Sequence, residues 1–201
     1  MITIIDYGIG NIGSIHNMLR KEGIPCQLGG TAEQILTATK IILPGNGAFD
    51  ACMNSLRSSG LIEALNYQVL YNKIPCLGIC VGAQMLGKCS EEGVAEGLGW
   101  IDMVVKQLPK TEGLSIPHMG WNYVKINKDL QSPFMDLDLS RFYFVHSYYM
   151  SLRNQDEILM TTNYGIEFAS GVKKENIYGV QFHPEKSHKF GKKLFKDFAS
   201  I

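Results

Sequence analysis

The stretch Pro75-Cys76-Leu77-Gly78-Ile79-Cys80-Val81-Gly82-Ala83-Gln84 reads as a buried apolar strand, a tight Gly-x-Cys-x-Gly turn and the first turn of a helix. A strand turning sharply into a helix is how a nucleophile elbow is built, here with Cys in the place of Ser. The turn lifts the side chain off the sheet. The helix start sets backbone N–H groups and positive dipole beside the sulfur, which favours the reactive thiolate. Glycines flank the Cys because a Cβ would clash in so sharp a turn. A buried Cys in an ordinary βα turn competes with this reading, and a motif this short does not separate the two.

The rest of the first half repeats the alternation. Apolar runs at 2–5, 25–28, 40–43 and 74–79 predict strands, and the spacing of Ile12, Ile15 and Leu19 predicts a helix over 11–22. Further helices are expected over 31–39, 48–59 and 61–71. Such alternation predicts an α/β fold with a parallel sheet covered on both faces. The second half is richer in strands, expected at 100–105, 123–126, 142–146, 157–162, 167–172 and 177–182, with turns at 163–165 and 174–176. Alternation over 142–146 should bury Phe142, Phe144 and His146 together. Residues 107–116 read as an exposed loop. Ser187 is expected to cap a last helix over 189–199 with Phe190, Leu194 and Phe198 as its buried stripe.

The predicted strand at 177–182 runs into His183-Pro184-Glu185-Lys186-Ser187. A Cys nucleophile needs a base, and the base needs an orienting acid. His183 and Glu185 supply both, two residues apart. A solvated polar loop is one alternative. A metal site of His183, Glu185 and His188 is another, although no CxxC or HExxH pattern accompanies it. In an open α/β sheet, chemistry collects beyond the carboxyl ends of the strands. Residues 6–11, residues 44–47, Cys80 and His183 each follow such a strand, so they should share one edge.

Taken together, Cys80 in G-x-C-x-G-x-Q and His183-Pro184-Glu185 resemble the class I, triad-type glutamine amidotransferases. Asp6-Tyr7-Gly8-Ile9-Gly10-Asn11, Leu43-Pro44-Gly45-Asn46-Gly47-Ala48-Phe49, Pro117-His118-Met119-Gly120-Trp121-Asn122 and Tyr143-Phe144-Val145-His146-Ser147-Tyr148-Tyr149 follow in order. With them the chain is similar, over nearly its whole length, to the glutaminase subunits of imidazole glycerol phosphate synthases. The resemblance implies an open, mostly parallel flavodoxin-like sheet with helices on both faces and additional antiparallel strands in the second half, as a single domain over 1–201. It implies a Cys80, His183, Glu185 triad that hydrolyses glutamine and passes ammonia to a cyclase subunit with a (β/α)8 barrel. No cofactor and no metal are implied. The oxyanion donors would be Val81 and the mobile segment Gly45, Asn46, Gly47, where the family usually carries Val at the position of Asn46. Gln84, Glu92, His146, Ser147 and Tyr148 would bind glutamine. Asn11, His118, Met119, Trp121, Tyr143 and Lys186 would face the partner.

Blander readings stand beside these. Gly8-Ile9-Gly10-Asn11-Ile12-Gly13 fits a dinucleotide fingerprint, but the next strand ends near 27–30 without the carboxylate a ribose needs. Glu91 and Glu92 are also what exposed loop charge looks like. A paralogue amidating another acceptor, such as a sugar of surface glycans, shares the motifs, and so would a catalytically silent binding subunit, which the intact triad argues against.

Size and charge restrict the alternatives. A chain of 201 residues suits one core. Lys+Arg and Asp+Glu both number 19, so the formal net charge is zero. No basic block points to nucleic acid or a membrane surface. The lysines at 186, 189, 192, 193 and 196 read as a solvated helix face. The apolar start ends at Asp6, too early for a signal peptide. Five cysteines without framework spacing suit reduced thiols in a cytoplasm.

Overall fold

In the computed structural model, which describes residues 1–201, all four residues of Ile2–Ile5 (β1) are buried. A strand covered on both faces belongs inside a parallel sheet. The chain continues through Ile12–Lys21 (α1), Cys26–Gly29 (β2), Ala32–Leu36 (α2), Lys40–Leu43 (β3), Phe49–Ser58 (α3), Ile62–Asn66 (α4), Cys76–Ile79 (β4) and Val81–Gln84 (α5). The second half adds Cys89–Ser90 (β5), Met103–Gln107 (β6), His118–Tyr123 (β7), Lys125–Ile126 (β8), Arg141–His146 (β9), Tyr148–Leu152 (β10), Ile158–Tyr164 (β11), Ile166–Lys174 (β12), Ile177–Val180 (β13) and His188–Ala199 (α6).

The strands β2, β1, β3, β4 and β13 pair in that order, all parallel. Beyond β13 the sheet continues antiparallel through β12, β10 and β6, with β11 paired to β12 and β8 to β11. The antiparallel part follows from the turns, since Gly165 (φ 74°) and Glu175 (φ 51°) close hairpins too short for a parallel crossover. Strands β7 and β9 form a separate two-stranded sheet, where Phe142, Phe144 and His146 are buried together. No helix is long and apolar enough to cross a membrane.

Several elements differ from expectation, each for a physical reason. The helix expected over 61–71 ends at Asn66 and widens into a π turn over Tyr67–Tyr71. There the buried Gln68 amide donates to the carbonyls of Ile35 (3.1 Å), Leu36 (2.9 Å) and Ala38 (3.1 Å), satisfying the end of α2. Strand β10 is absent from the sequence reading. The β-forming run 141–152 is continuous, but at Ser147 the chain leaves the small sheet and enters the large one. The strand expected at 100–105 starts only at Met103, because Trp100 and Ile101 are core residues ahead of the ladder. Ser187 does not cap α6. Its hydroxyl donates to the His183 carbonyl (2.6 Å) and accepts from the Tyr143 N–H (3.0 Å). In α6, Leu194, Phe195 and Phe198 are buried and Phe190 only partly, while Lys192 and Lys196 pair with Glu22, just past α1, at 2.6 and 2.8 Å.

Candidate active site

Cys80 sits at φ 54°, ψ −114°, a backbone region that non-glycine residues rarely occupy. The fold holds it there. Its N–H donates to the Val180 carbonyl of β13 (2.8 Å), and its carbonyl accepts from Ala83 (3.0 Å) and Gln84 (3.1 Å). The first turn of α5 leaves the N–H groups of Val81 and Gly82 without intrahelical acceptors. Gly82 has no side chain because none fits: a Cβ would overlap the Leu43 carbonyl oxygen and lie 2.9 Å from the Pro44 carbonyl carbon. Gly45 presses back on the Val81–Gly82 peptide in the same way. The elbow and the segment after β3 are thus in direct backbone contact.

His183 follows β13, adjacent to β4. Its Nδ1–H donates to Glu185 Oε1 at 2.8 Å, and both side chains are almost fully buried. Asn11, from the loop after β1, donates to the same oxygen at 3.2 Å. Burial alone would lower the imidazole pKa, but the neighbouring Cys80 sulfur and the Glu185 carboxylate outweigh it and raise the pKa to about 10. A charged imidazole beside Cys80 is the counter-ion that a nucleophilic thiolate requires.

Cys80 and His183 open into a cavity of about 410 Å³. Asn46, Gly47, Val81, Gln84, Glu92, residues 145–148, Pro117 and Lys186 line it. Gly45 does not; it is buried beneath, against Gly82. The Gln84 amide donates to the Tyr148 carbonyl and to Gln181 Oε1, both at 3.1 Å, and the Gln181 amide reaches 3.9 Å from Cys80 Sγ. Glu92 accepts from the Phe49 N–H at 2.8 Å, so a carboxylate stands at the start of α3, where the helix dipole favours it.

His118 and His146 need correction. The alternation of β7 exposes Met119, Trp121 and Tyr123 but buries His118, which stacks on Phe144 and Tyr164 with centroids at 4.7 and 4.0 Å. His118 is therefore buried and not exposed for the partner contact expected of it. His146 lines the cavity, but its ring nitrogens are both engaged, Nδ1 with the Tyr148 carbonyl (2.8 Å) and Nε2 with His118 Nδ1 (2.9 Å). Its ring has no hydrogen bond left for a substrate. Trp121 stacks on His188 (5.6 Å) and meets Tyr143 edge-on (6.2 Å), with the Lys186 ammonium over the Tyr143 ring (5.9 Å). His188 lies in this stack rather than beside His183 and Glu185, so the three do not form a metal site. Gln181 was legible as a polar residue in an apolar strand, two positions before His183; Tyr7 and Cys52, behind the segment after β3, carried no such signal.

The glutamine amidotransferase class-I family model matches residues 3–201. The chain belongs to this family. It is 49% identical over 203 residues to imidazole glycerol phosphate synthase subunit HisH 2 of Pseudomonas aeruginosa, covering all of both chains. It is 52% identical to the subunit HisH 2 of Methanococcus maripaludis, covering 98% of each. Among solved structures it is similar to PurLQS from Thermotoga maritima, with a TM-score of 0.77 at 18% identity, covering 99% of this chain and 97% of that one. That last likeness speaks for the class I amidotransferase fold alone.

Proposed function

We propose that this class I glutamine amidotransferase is the glutaminase subunit of an imidazole glycerol phosphate synthase, acting as one unit over 1–201 in a reducing cytoplasm. The observation that carries the chemistry is Cys80, held in a strained elbow beside an imidazole that Glu185 orients. The Cys80 thiolate attacks the side-chain carbonyl of glutamine. The N–H groups of Val81 and of the 45–47 segment receive the oxyanion, preorganised donors of the kind that dominate such steps. His183 gives its proton to the departing nitrogen, ammonia leaves, and a glutamyl thioester remains. Water, deprotonated by His183, cleaves the thioester to glutamate and free thiol. Gln84 and Glu92 hold the substrate, Glu92 through its ammonium, with the backbone at Ser147 and Tyr148 as the opposite wall.

Free ammonia in water is largely protonated and lost, so a synthase partner should cover the site. The subunit names of the relatives support a cyclase partner, proposed here as a (β/α)8 barrel docking over Asn11, Met119, Trp121, Tyr143 and Lys186. Its products are imidazole glycerol phosphate and an aminoimidazole carboxamide ribotide. Asn46, where the family usually carries Val, favours a second reading in which the ammonia serves another acceptor, such as an amidino sugar of surface glycans. An electrophilic glutamine analogue should label Cys80, and only Cys80 of the five cysteines. The chain with a histidine-pathway cyclase should make imidazole glycerol phosphate from glutamine. Labelling elsewhere refutes the mechanism, and glutamine hydrolysis without that product moves the assignment to another acceptor.

A further inference from the structure

The segment 44–47 lies against the elbow, and two buried side chains from behind hold its carbonyls. Tyr7 Oη donates to the Pro44 carbonyl at 2.7 Å, and the Cys52 thiol donates to the Asn46 carbonyl at 3.2 Å. Tyr7 is itself fixed, its carbonyl accepting from Ser55 Oγ at 2.6 Å. These bonds immobilise the Pro44–Gly45 and Asn46–Gly47 peptides. The peptide between them, the Gly45 carbonyl and the Asn46 N–H, takes part in no backbone hydrogen bond of the chain. We propose that Tyr7 and Cys52 are positioning residues that clamp the two flanking peptides, so that the Gly45–Asn46 peptide alone is free to turn and its N–H reaches one fixed place beside Cys80.

The geometry gives the reason. A peptide whose neighbours are fixed turns about its two Cα atoms like a crank, and its N–H sweeps one arc. With a loosened flank the arc is lost, and a donor that must be preorganised for an oxyanion becomes one of many orientations. Both clamping groups remain protonated donors. Burial first, then the neighbouring Cys52, pushes the Tyr7 hydroxyl pKa up, and burial does the same to the Cys52 thiol. Neither side chain lines the cavity, so neither touches glutamine.

This inference rests on the glutaminase reading, and the test separates the two. Tyr7→Phe and Cys52→Ala each delete one donor, and Cys52→Ser restores one. With the partner present, Tyr7→Phe and Cys52→Ala should each lower kcat for glutamine hydrolysis about tenfold, the scale of one lost hydrogen bond, with KM within about twofold. Cys52→Ser should recover most of kcat, and the rate of Cys80 alkylation by iodoacetamide should not change. Amide hydrogen exchange over residues 44–49 should quicken about tenfold in the two deletion variants and not in Cys52→Ser. Unchanged exchange overturns the clamp whatever the turnover. Wild-type kcat in both deletion variants overturns its catalytic role, and a parallel fall of kcat, alkylation rate and melting temperature would mean that both residues are merely structural. A wild-type chain that hydrolyses no glutamine with any cyclase refutes the proposed function instead, and the exchange experiment still decides the clamp.

Discussion

Gly82→Ala should disable the enzyme without touching a catalytic side chain. The added Cβ would overlap the Leu43 carbonyl oxygen and lie 2.9 Å from both the Leu43 and the Pro44 carbonyl carbons. All three are backbone atoms between β3 and the segment after it, so no side chain can rotate away. Either α5 retreats from the 44–47 segment or the segment retreats from α5. Overpacking of this kind costs about 1–3 kcal/mol. At roughly 2–4 °C per kcal/mol for a chain of this size, the melting temperature should fall by about 2–12 °C. The kinetic effect should be larger in proportion, because the proposed oxyanion donors, Val81 and the 44–47 segment, must both meet one oxyanion, and a displacement of about 1 Å costs on the order of 100-fold. The assay is glutamine hydrolysis with the partner, alongside thermal melts. Gly13→Ala is the control: nothing lies within 4 Å of its Cβ position on α1, and a helical Gly→Ala change there should stabilise by about 0.4–1 kcal/mol. A Gly82→Ala enzyme with kcat within twofold of wild type would show that the contact between elbow and segment does not set the oxyanion geometry.

Two further outcomes are expected. His183→Ala should abolish glutamine-dependent synthesis while synthesis from high ammonium survives, because His183 serves only the hydrolytic half-reaction; equal loss of both would place His183 in assembly. His118 and His146 are held neutral by burial, at about 4 and about 3. Their folded values lie below the unfolded value near 6.5, so their contribution is present above that pH and lost as pH falls toward 4 and 3. Melting temperature should therefore decline from pH 7 to pH 4, less steeply in a His118→Phe variant, and identical slopes would refute the assignment.

The parallel half of the fold was legible, the π turn over Tyr67–Tyr71 apart, because its elements are decided locally. Apolar runs such as Ile2–Ile5, spaced by amphipathic helices, leave little choice of architecture. The edge that gathers residues 6–11, 44–47, Cys80 and His183 then follows from strand direction alone. The second half resisted because its decisions are tertiary. Nothing in the run 141–152 tells that its first part pairs with β7 and its second with β6, since the choice is made by partners distant in sequence, from Tyr123 opposite Arg141 to Met103 opposite Leu152. Ser187 has the composition of a cap, yet its hydroxyl is drawn to His183 and Tyr143, bonds that only the folded chain offers. The π turn at Tyr67 has the same origin, in carbonyls of α2 that Gln68 must satisfy.

The site shows the same division. Cys80, His183 and Glu185 announce themselves by motif, but the support of the cavity wall does not, and hydrogen-bond logic fixes it. The Tyr148 carbonyl can only accept, so His146 carries its proton on Nδ1, 2.8 Å away. Neutral His146 then accepts at Nε2, so His118 donates from Nδ1 at 2.9 Å and accepts at Nε2 from the Asn122 amide at 3.2 Å. Both of these tautomers follow from one carbonyl. That carbonyl also receives Gln84, whose amide bonds to Gln181 beneath Cys80. One set of directed bonds thus runs from β7 to the nucleophile. The outer side of β7 carries Met119 and Trp121 and the inner side His118, so this strand is tied to the wall at Tyr148 through buried hydrogen bonds. Breaking any one of these bonds leaves a buried polar group unpaired, at about 1–3 kcal/mol, so the whole relay is favoured over any partial version of it.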